Sequence, residues 1–212
     1  MDSRLNGKLA GYYTKKEILQ QPQMWNETYN VVSSKIDEFK VFLKERGLDK
    51  SSEILFCGAG SSEFVADAVA CIFVADGYKS ARSVATTDLV TDPSFFVHKT
   101  DTVLAFSFAR SGDSPESAGA YEMLNFYCKK AYHIIITCNG KGKMLNDDNP
   151  ANDFCFVLPE PTNDVSLVMT SSFSSMGMAA IMLRDPDKIS AQKAKVAEAA
   201  EFANNFLTPE VW

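Results

Sequence analysis

The chain has 212 residues, room for one α/β domain with accessory helices, and its 46% hydrophobic and 23% charged residues belong to a folded chain rather than a disordered one. Lys and Arg number 21 against 27 Asp and Glu, a net charge of −6. With no basic block, this excludes a nucleic-acid backbone binder but not a small anion held by local backbone groups.

In chain order, Met1–Gly11 carries Asp2, Arg4 and Lys8 without an apolar stretch, so no secretory signal is expected. Thr14–Gln20 reads as a short helix, with Thr14 and Glu17 fitting a capping box. Trp25, Tyr29, Val32, Ile36, Phe39 and Leu43 recur at steps of three and four. Residues 24–46 therefore read as one amphipathic helix, started near Pro22 and stopped by Gly47. From residue 53, short apolar runs alternate with helical stretches. The runs are Glu53–Cys57, Ser83–Thr86, Thr102–Phe108, Tyr132–Thr137 and Asp153–Leu158; the helical patterns lie at about 62–77, 114–130 and 170–183. Lys188–Leu207, rich in Ala, Lys and Glu, reads as a final helix. Apolar strands without strict alternation, joined by helices, predict a parallel sheet covered on both faces. The expectation is a three-layer α/β domain over 49–185, a helical segment over 1–48 and a C-terminal helix over 186–212.

No apolar run is long enough to span a bilayer, Ala68–Ala75 and Ala179–Leu183 being the longest. The five cysteines (Cys57, Cys71, Cys128, Cys138, Cys155) form no CxxC pair and read as free core thiols. With His98 and His133 the only histidines, no metal is expected; nor is a cofactor. A cytoplasmic protein is the natural reading.

In an open parallel sheet, ligands sit beyond the carboxyl ends of the strands. After the first strand comes Gly58-Ala59-Gly60-Ser61-Ser62-Glu63. It starts like a dinucleotide fingerprint but has Glu63 for the third glycine, so it suits something smaller than a pyrophosphate. Glycine allows close backbone approach, Ser61 and Ser62 supply hydroxyls, and the following helix supplies free N–H groups. The plain structural alternative is a Gly-rich turn with Ser62 as N-cap. After the third strand comes Arg110-Ser111-Gly112-Asp113-Ser114-Pro115-Glu116-Ser117. Pro115 fits a first helical turn and Ser114 an N-cap; capping alone leaves Ser111 and Gly112 unexplained. Two helix N-termini opening on one crevice make an anion site without lysine.

These segments, together with Thr137-Cys138-Asn139 after the fourth strand, resemble a sugar isomerase (SIS) domain. Glu17-Ile18 and Gln20-Gln21-Pro22-Gln23-Met24-Trp25 are similar to the branch containing galactosamine-6-phosphate deaminase/isomerase and tagatose-6-phosphate ketose/aldose isomerase. Over about residues 10–207 the resemblance implies a doubly wound, flavodoxin-like five-stranded parallel sheet whose loops grip a sugar phosphate. Carried over by position, Gly60, Ser61, Ser62, Arg110, Ser111, Gly112 and Ser114 are the phosphate-binding residues. Thr170 and Ser171 close over the sugar. Ala109 stands where the family often has serine. Enzymes of this branch usually carry two SIS copies, and only the first is matched. In the glucosamine synthase relative the glutamate base and lysine lie beyond that copy and match no residue here.

Aldose–ketose interconversion moves a proton between adjacent carbons. Glu63 is a candidate base, with a helix-start acid as the plainer alternative. His98 is a candidate for ring opening, in its own subunit or a partner's, with a surface histidine as the alternative. His133 reads as structural, and Met169, Met176, Met178 and Met182 as core. The function expected is an isomerase or deaminase acting on a hexose or hexosamine 6-phosphate. The rivals are a non-catalytic phosphosugar-binding module (or half of a two-copy enzyme) and a nucleotide-cofactor domain, which the missing third glycine disfavours. A homodimer is expected, because a small sheet domain has little to cover the broad apolar face of 24–46.

Overall fold

A computed structural model describes residues 11–145 and 149–208. The signal-peptide reading of the N-terminus falls almost wholly outside the described residues, as do the outer ends of the two helical extensions. Two helices, α1 (Tyr12–Ser34) and α2 (Ile36–Glu45), precede β1 (Glu53–Gly58). Then follow α3 (Ser61–Ala75), β2 (Ala81–Ala85), α4 (Thr86–Thr91), β3 (Thr102–Ala109) and α5 (Pro115–Tyr127). The chain continues with β4 (Lys130–Thr137), β5 (Asp153–Val157), α6 (Ser171–Leu183) and α7 (Ile189–Phe206). The strands form one parallel sheet in the order β2-β1-β3-β4-β5, the flavodoxin-like doubly wound order.

Alternate residues divide the strands between two layers. Ile54, Phe56, Leu104, Phe106, Phe108, Ile134, Ile136 and Phe156 face α1, α2, α3 and α6. Leu55, Cys57, Val84, Val103 and Ala105 face α4 and α5. Both faces are covered, which is why the strands lack polar alternation. Short α4 carries no periodic pattern; it is held by Leu89, which is fully buried. Cys71 lies on the exposed face of α3 and Cys155 is half-buried, so three of the five thiols are core rather than all.

At the N-terminus the structure corrects the sequence reading. There is no break at Pro22: α1 runs through it and ends at Ser34 instead, with Lys35 as its C-cap. The Ile18 carbonyl, which the proline nitrogen cannot serve, accepts from Gln21 Nε2 at 3.2 Å. The bend falls where Ser33 and Ser34 turn their hydroxyls back onto the Asn30 and Val31 carbonyls. The apolar stripe of 24–46 is not left for a partner either. Tyr29, Val32, Ile36, Phe39 and Phe42 enter the core, where Phe39 meets Phe154 and Phe156 edge-on at 5.4 and 5.7 Å. No helix among the described residues is long and apolar enough to cross a membrane.

Candidate functional site

The strand order reverses between β1 and β3, leaving a crevice at their carboxyl ends. A cavity of about 170 Å³ lies there. Ala59 and Ser62 bound it from the β1–α3 turn, Phe108–Gly112, Ser114 and Ser117 from the β3–α5 turn, and Leu167 and Met169 from the β5–α6 connection. Larger grooves of about 750 and 700 Å³ lie elsewhere, along α7 and beside Trp25, with walls that are mainly apolar surface.

The β1–α3 turn is set by glycine. A Cβ on Gly58 would lie 2.3 Å from the Ser62 carbonyl group, so β1 and α3 approach this closely only without a side chain. Gly60, at φ +57°, turns the chain into the helix. It is the N-cap, which places Ser62 inside the first turn instead of at the cap. Ser62 is buried and faces the cavity; Gly60 and Ser61 stand outside its lining, as does half-buried Glu63.

The β3–α5 turn is held against the loop after β4. Gly112 sits at φ +67°, and a Cβ on Gly142 would fall 2.5 Å from the Ser111 carbonyl oxygen. Asn139 Nδ2 donates to that same oxygen at 2.8 Å, and the Met144 N–H to the Gly112 carbonyl at 3.1 Å. These contacts give the Asn139 motif its role. Ser114 caps α5 as expected: its Oγ accepts from the Ser117 N–H at 3.2 Å and donates to Ser117 Oγ at 2.7 Å. Its proton is thus directed to Ser117, and the buried Ser117 hydroxyl joins the cavity wall. Ser117 is not among the residues the sequence pattern singles out for the site; its place one turn past the N-cap is the signal that points to it.

The outer wall comes from the β5–α6 connection. Arg110 Nη1 donates to the Ser166 carbonyl at 3.2 Å. The Glu17 carboxylate on α1 accepts from the Val165 and Ser166 N–H groups at 2.7 and 3.1 Å and from the Ser166 hydroxyl. Buried Asp164 accepts from the Thr170 N–H, the Ser172 N–H and the Ser172 hydroxyl at 2.7, 2.9 and 2.7 Å, and so caps α6 from upstream. Thr170 and Ser171, expected to close over the sugar, stand outside the cavity lining. Ser171 is fully buried, donating to the Glu17 carbonyl at 2.7 Å and accepting from Gln20 Nε2 at 2.9 Å.

His98 is exposed just before β3 begins, at the opposite end of the sheet. An eight-residue strand at roughly 3.3 Å per residue puts it more than about 20 Å from the cavity of its own subunit. His133 is fully buried under α5, its ring 4.2 Å from that of Tyr121, and burial pushes it down to about 3. Burial raises the Cys57 and Cys138 thiols to about 12, so neither is a thiolate near neutrality. Among the lining residues Arg110 alone is ionisable. The cavity's other polar side chains are the hydroxyls of Ser62, Ser111, Ser114 and Ser117.

No protein-family model matches the chain. D-galactosamine-6-phosphate deaminase AgaS of Escherichia coli is 33% identical over 184 residues, which are 86% of this chain and 48% of that protein. The crystal structure of tagatose-6-phosphate ketose/aldose isomerase from Escherichia coli aligns at a TM-score of 0.84 and 31% identity, over 93% of this chain and 53% of that one. A crystal structure from Clostridium novyi NT aligns at 0.86 and 34% identity, over 95% and 52%. The chain spans about half the length of the curated relatives it matches.

Proposed function

Because the chain belongs to the sugar isomerase (SIS) domain family, we propose that its strand-end cavity takes the phosphate of a hexose or hexosamine 6-phosphate. The activity we propose is aldose–ketose isomerisation or deamination, of the tagatose- or galactosamine-6-phosphate type. One observation carries this reading: the cavity lies at the switch point, where the first turn of α3 and the β3–α5 turn with the start of α5 bring Ser62, Ser111, Ser114, Ser117 and Gly112 together with no lysine. Each dipole contact is worth about 0.3–1 kcal/mol, so affinity comes from several acting at once. At about 170 Å³ the cavity suits the phosphate end, and the reacting carbons extend beyond it. Ser111→Ala is expected to weaken galactosamine 6-phosphate binding about tenfold in calorimetry with an unchanged fold. Unchanged affinity would overturn the assignment.

A second reading, a binding module or half of a two-copy enzyme, is favoured by the absence of any carboxylate or imidazole from the lining. Glu63, in the first turn of α3, is our candidate base, with His98 of a partner subunit for ring opening. Glu63→Gln then keeps binding and abolishes turnover. Tight binding by a wild type that turns nothing over selects the module. We also propose a cytoplasmic homodimer. It is supported by Phe202 and Phe206, 74% and 62% exposed beside the groove along α7. A monomer in light scattering at micromolar concentration would refute the dimer.

A further inference from the structure

One face of α1 carries a polar stripe to which phosphate binding gives no task. Glu17, Gln20, Gln21 and Trp25 all bond to the segment 161–174, between 141 and 154 residues away in sequence. Trp25 Nε1 donates to Ser174 Oγ at 2.9 Å, and that hydroxyl donates to Gln21 Oε1 at 2.7 Å. At the head of the stripe, Glu17 is only 4% exposed. A carboxylate so buried is tolerated where its hydrogen bonds are made, and three of them come from Val165 and Ser166. Arg110 grips the Ser166 carbonyl from the cavity side. Residue 166 is thus held between a carboxylate on α1 and a guanidinium on the β3–α5 turn.

The next residues form the outer wall of the cavity. Leu167 and Met169 line it, although Leu167 is 93% exposed and Val168 makes no part of the core. Met169 packs against the core and Asp164 holds the Thr170 N–H, so the far end of the segment is fixed; the near end, before exposed Leu167, is held by Glu17 and Arg110.

We propose that Glu17 is a positioning residue for the sugar. It holds Val165 and Ser166 so that Leu167 and Met169 present the apolar surface against which the carbon chain beyond the phosphate packs. The proposal rests on the phosphosugar reading above. It separates two parts of one ligand: the phosphate meets the strand-end turns, and the carbons meet the wall that Glu17 sets.

The test uses calorimetry with galactosamine 6-phosphate and with inorganic phosphate, alongside hydrogen exchange of the Val165 and Ser166 amides. Glu17→Ala is expected to speed exchange of those two amides and to leave the β3 amides protected. It should weaken galactosamine 6-phosphate by about tenfold while inorganic phosphate binds as before. Glu17→Gln, which keeps an acceptor oxygen and the shape, should show a smaller loss with the same selectivity. It decides the matter by the same criterion if the alanine variant fails to fold. Equal loss of both probes, or unchanged galactosamine 6-phosphate affinity, overturns the proposal. A wild type that binds neither probe overturns the phosphosugar reading and this proposal with it, a result visible without any variant.

Discussion

On the strand side of the cavity the chain meets itself within a few residues or at the adjoining loop after β4, where Asn139 and Met144 hold Ser111 and Gly112. Gly58 lies under Ser62, Ser114 bonds Ser117, and Ser111 bonds Asp113. On the outer side the main anchors are remote: Glu17 reaches Val165 and Ser166 across some 148 residues, and Arg110 reaches Ser166 across 56. An exception is Asp164, which caps α6 from eight residues before Ser172. One wall is therefore set by backbone conformation, with glycines where a Cβ has no room. The other is set by buried side-chain acceptors. A wall of the first kind is rigid and fails only with the fold. A wall of the second kind can be displaced by one substitution while the sheet stands.

The hardest blow to this contrast is Gly58→Ala. Its Cβ would lie 2.3 Å from backbone atoms that cannot step aside, so we expect a loss of at least about 3 kcal/mol. At this chain length that lowers the melting temperature by at least roughly 6 °C. A melt within a degree or two of wild type would show that the strand-side wall yields as readily as the outer one.

The two helix caps sharpen the comparison next. Asp164 serves two N–H groups and a hydroxyl around α6 from a buried position. Asp164→Ala should cost about 2–3 kcal/mol and speed exchange at residues 170–172. Ser114→Ala removes a cap with more solvent access and should cost about 1 kcal/mol. Equal costs in paired denaturant melts would contradict the view that the outer wall depends on buried acceptors.

The same contrast separates what was legible in the sequence from what was not. Gly58-Ala59-Gly60 and Ser114-Pro115 act through local backbone rules, and both turns fall where those rules put them. Glu17 follows a local rule as well, since it stands three residues after Thr14, but the rule misleads. Helix α1 begins earlier, capped by Gly11, which leaves Glu17 inside the helix and free to serve a segment distant in sequence. Thr170 and Ser171 sit at a helix start and look like ligand groups. Only the fold shows that α1 covers Ser171 and that Asp164 takes the Thr170 N–H. The strands, the helices and the strand-end position of the cavity were open to periodicity and turn chemistry, and the doubly wound order only to the family resemblance; contacts across some 150 residues leave no periodic trace.

Acid probes the strand-side wall from beneath. His133 lies under α5 with its Nε2 3.3 Å from Asn125 Oδ1, flanked by the Tyr121 ring, whose hydroxyl donates to Asp153. Burial holds the native imidazole neutral down to about 3, whereas an unfolded histidine takes up its proton near 6.5. Below 6.5 the unfolded chain therefore binds a proton that the native chain refuses, and stability falls with pH until the native group titrates too. The slope for one proton is about 1.4 kcal/mol per pH unit, or about 2 kcal/mol between pH 7 and 5. His133→Gln should flatten that window. Identical slopes for the two proteins would remove His133 as the cause.

The smallest expected effect concerns the step on which the outer wall depends. Glu17 and Gln20 lie on one side of Pro22 and Trp25 on the other, yet all three reach the segment 161–174. That is possible only because α1 continues through the proline, with Gln21 Nε2 serving the Ile18 carbonyl in place of the missing N–H. Gln21→Ala leaves that carbonyl without this donor and should cost about 1 kcal/mol. It also removes the acceptor for Ser174 Oγ, so its cost alone is ambiguous. The ambiguity is lifted in a Pro22→Ala background, where the backbone N–H returns to Ile18 and Gln21 keeps only its Ser174 contact. The double-mutant cycle should then show a coupling of about 0.5–1 kcal/mol between positions 21 and 22, with Gln21→Ala milder when alanine stands at 22. Zero coupling would mean that the carbonyl finds another donor and that the helix passes Pro22 without help from its neighbour.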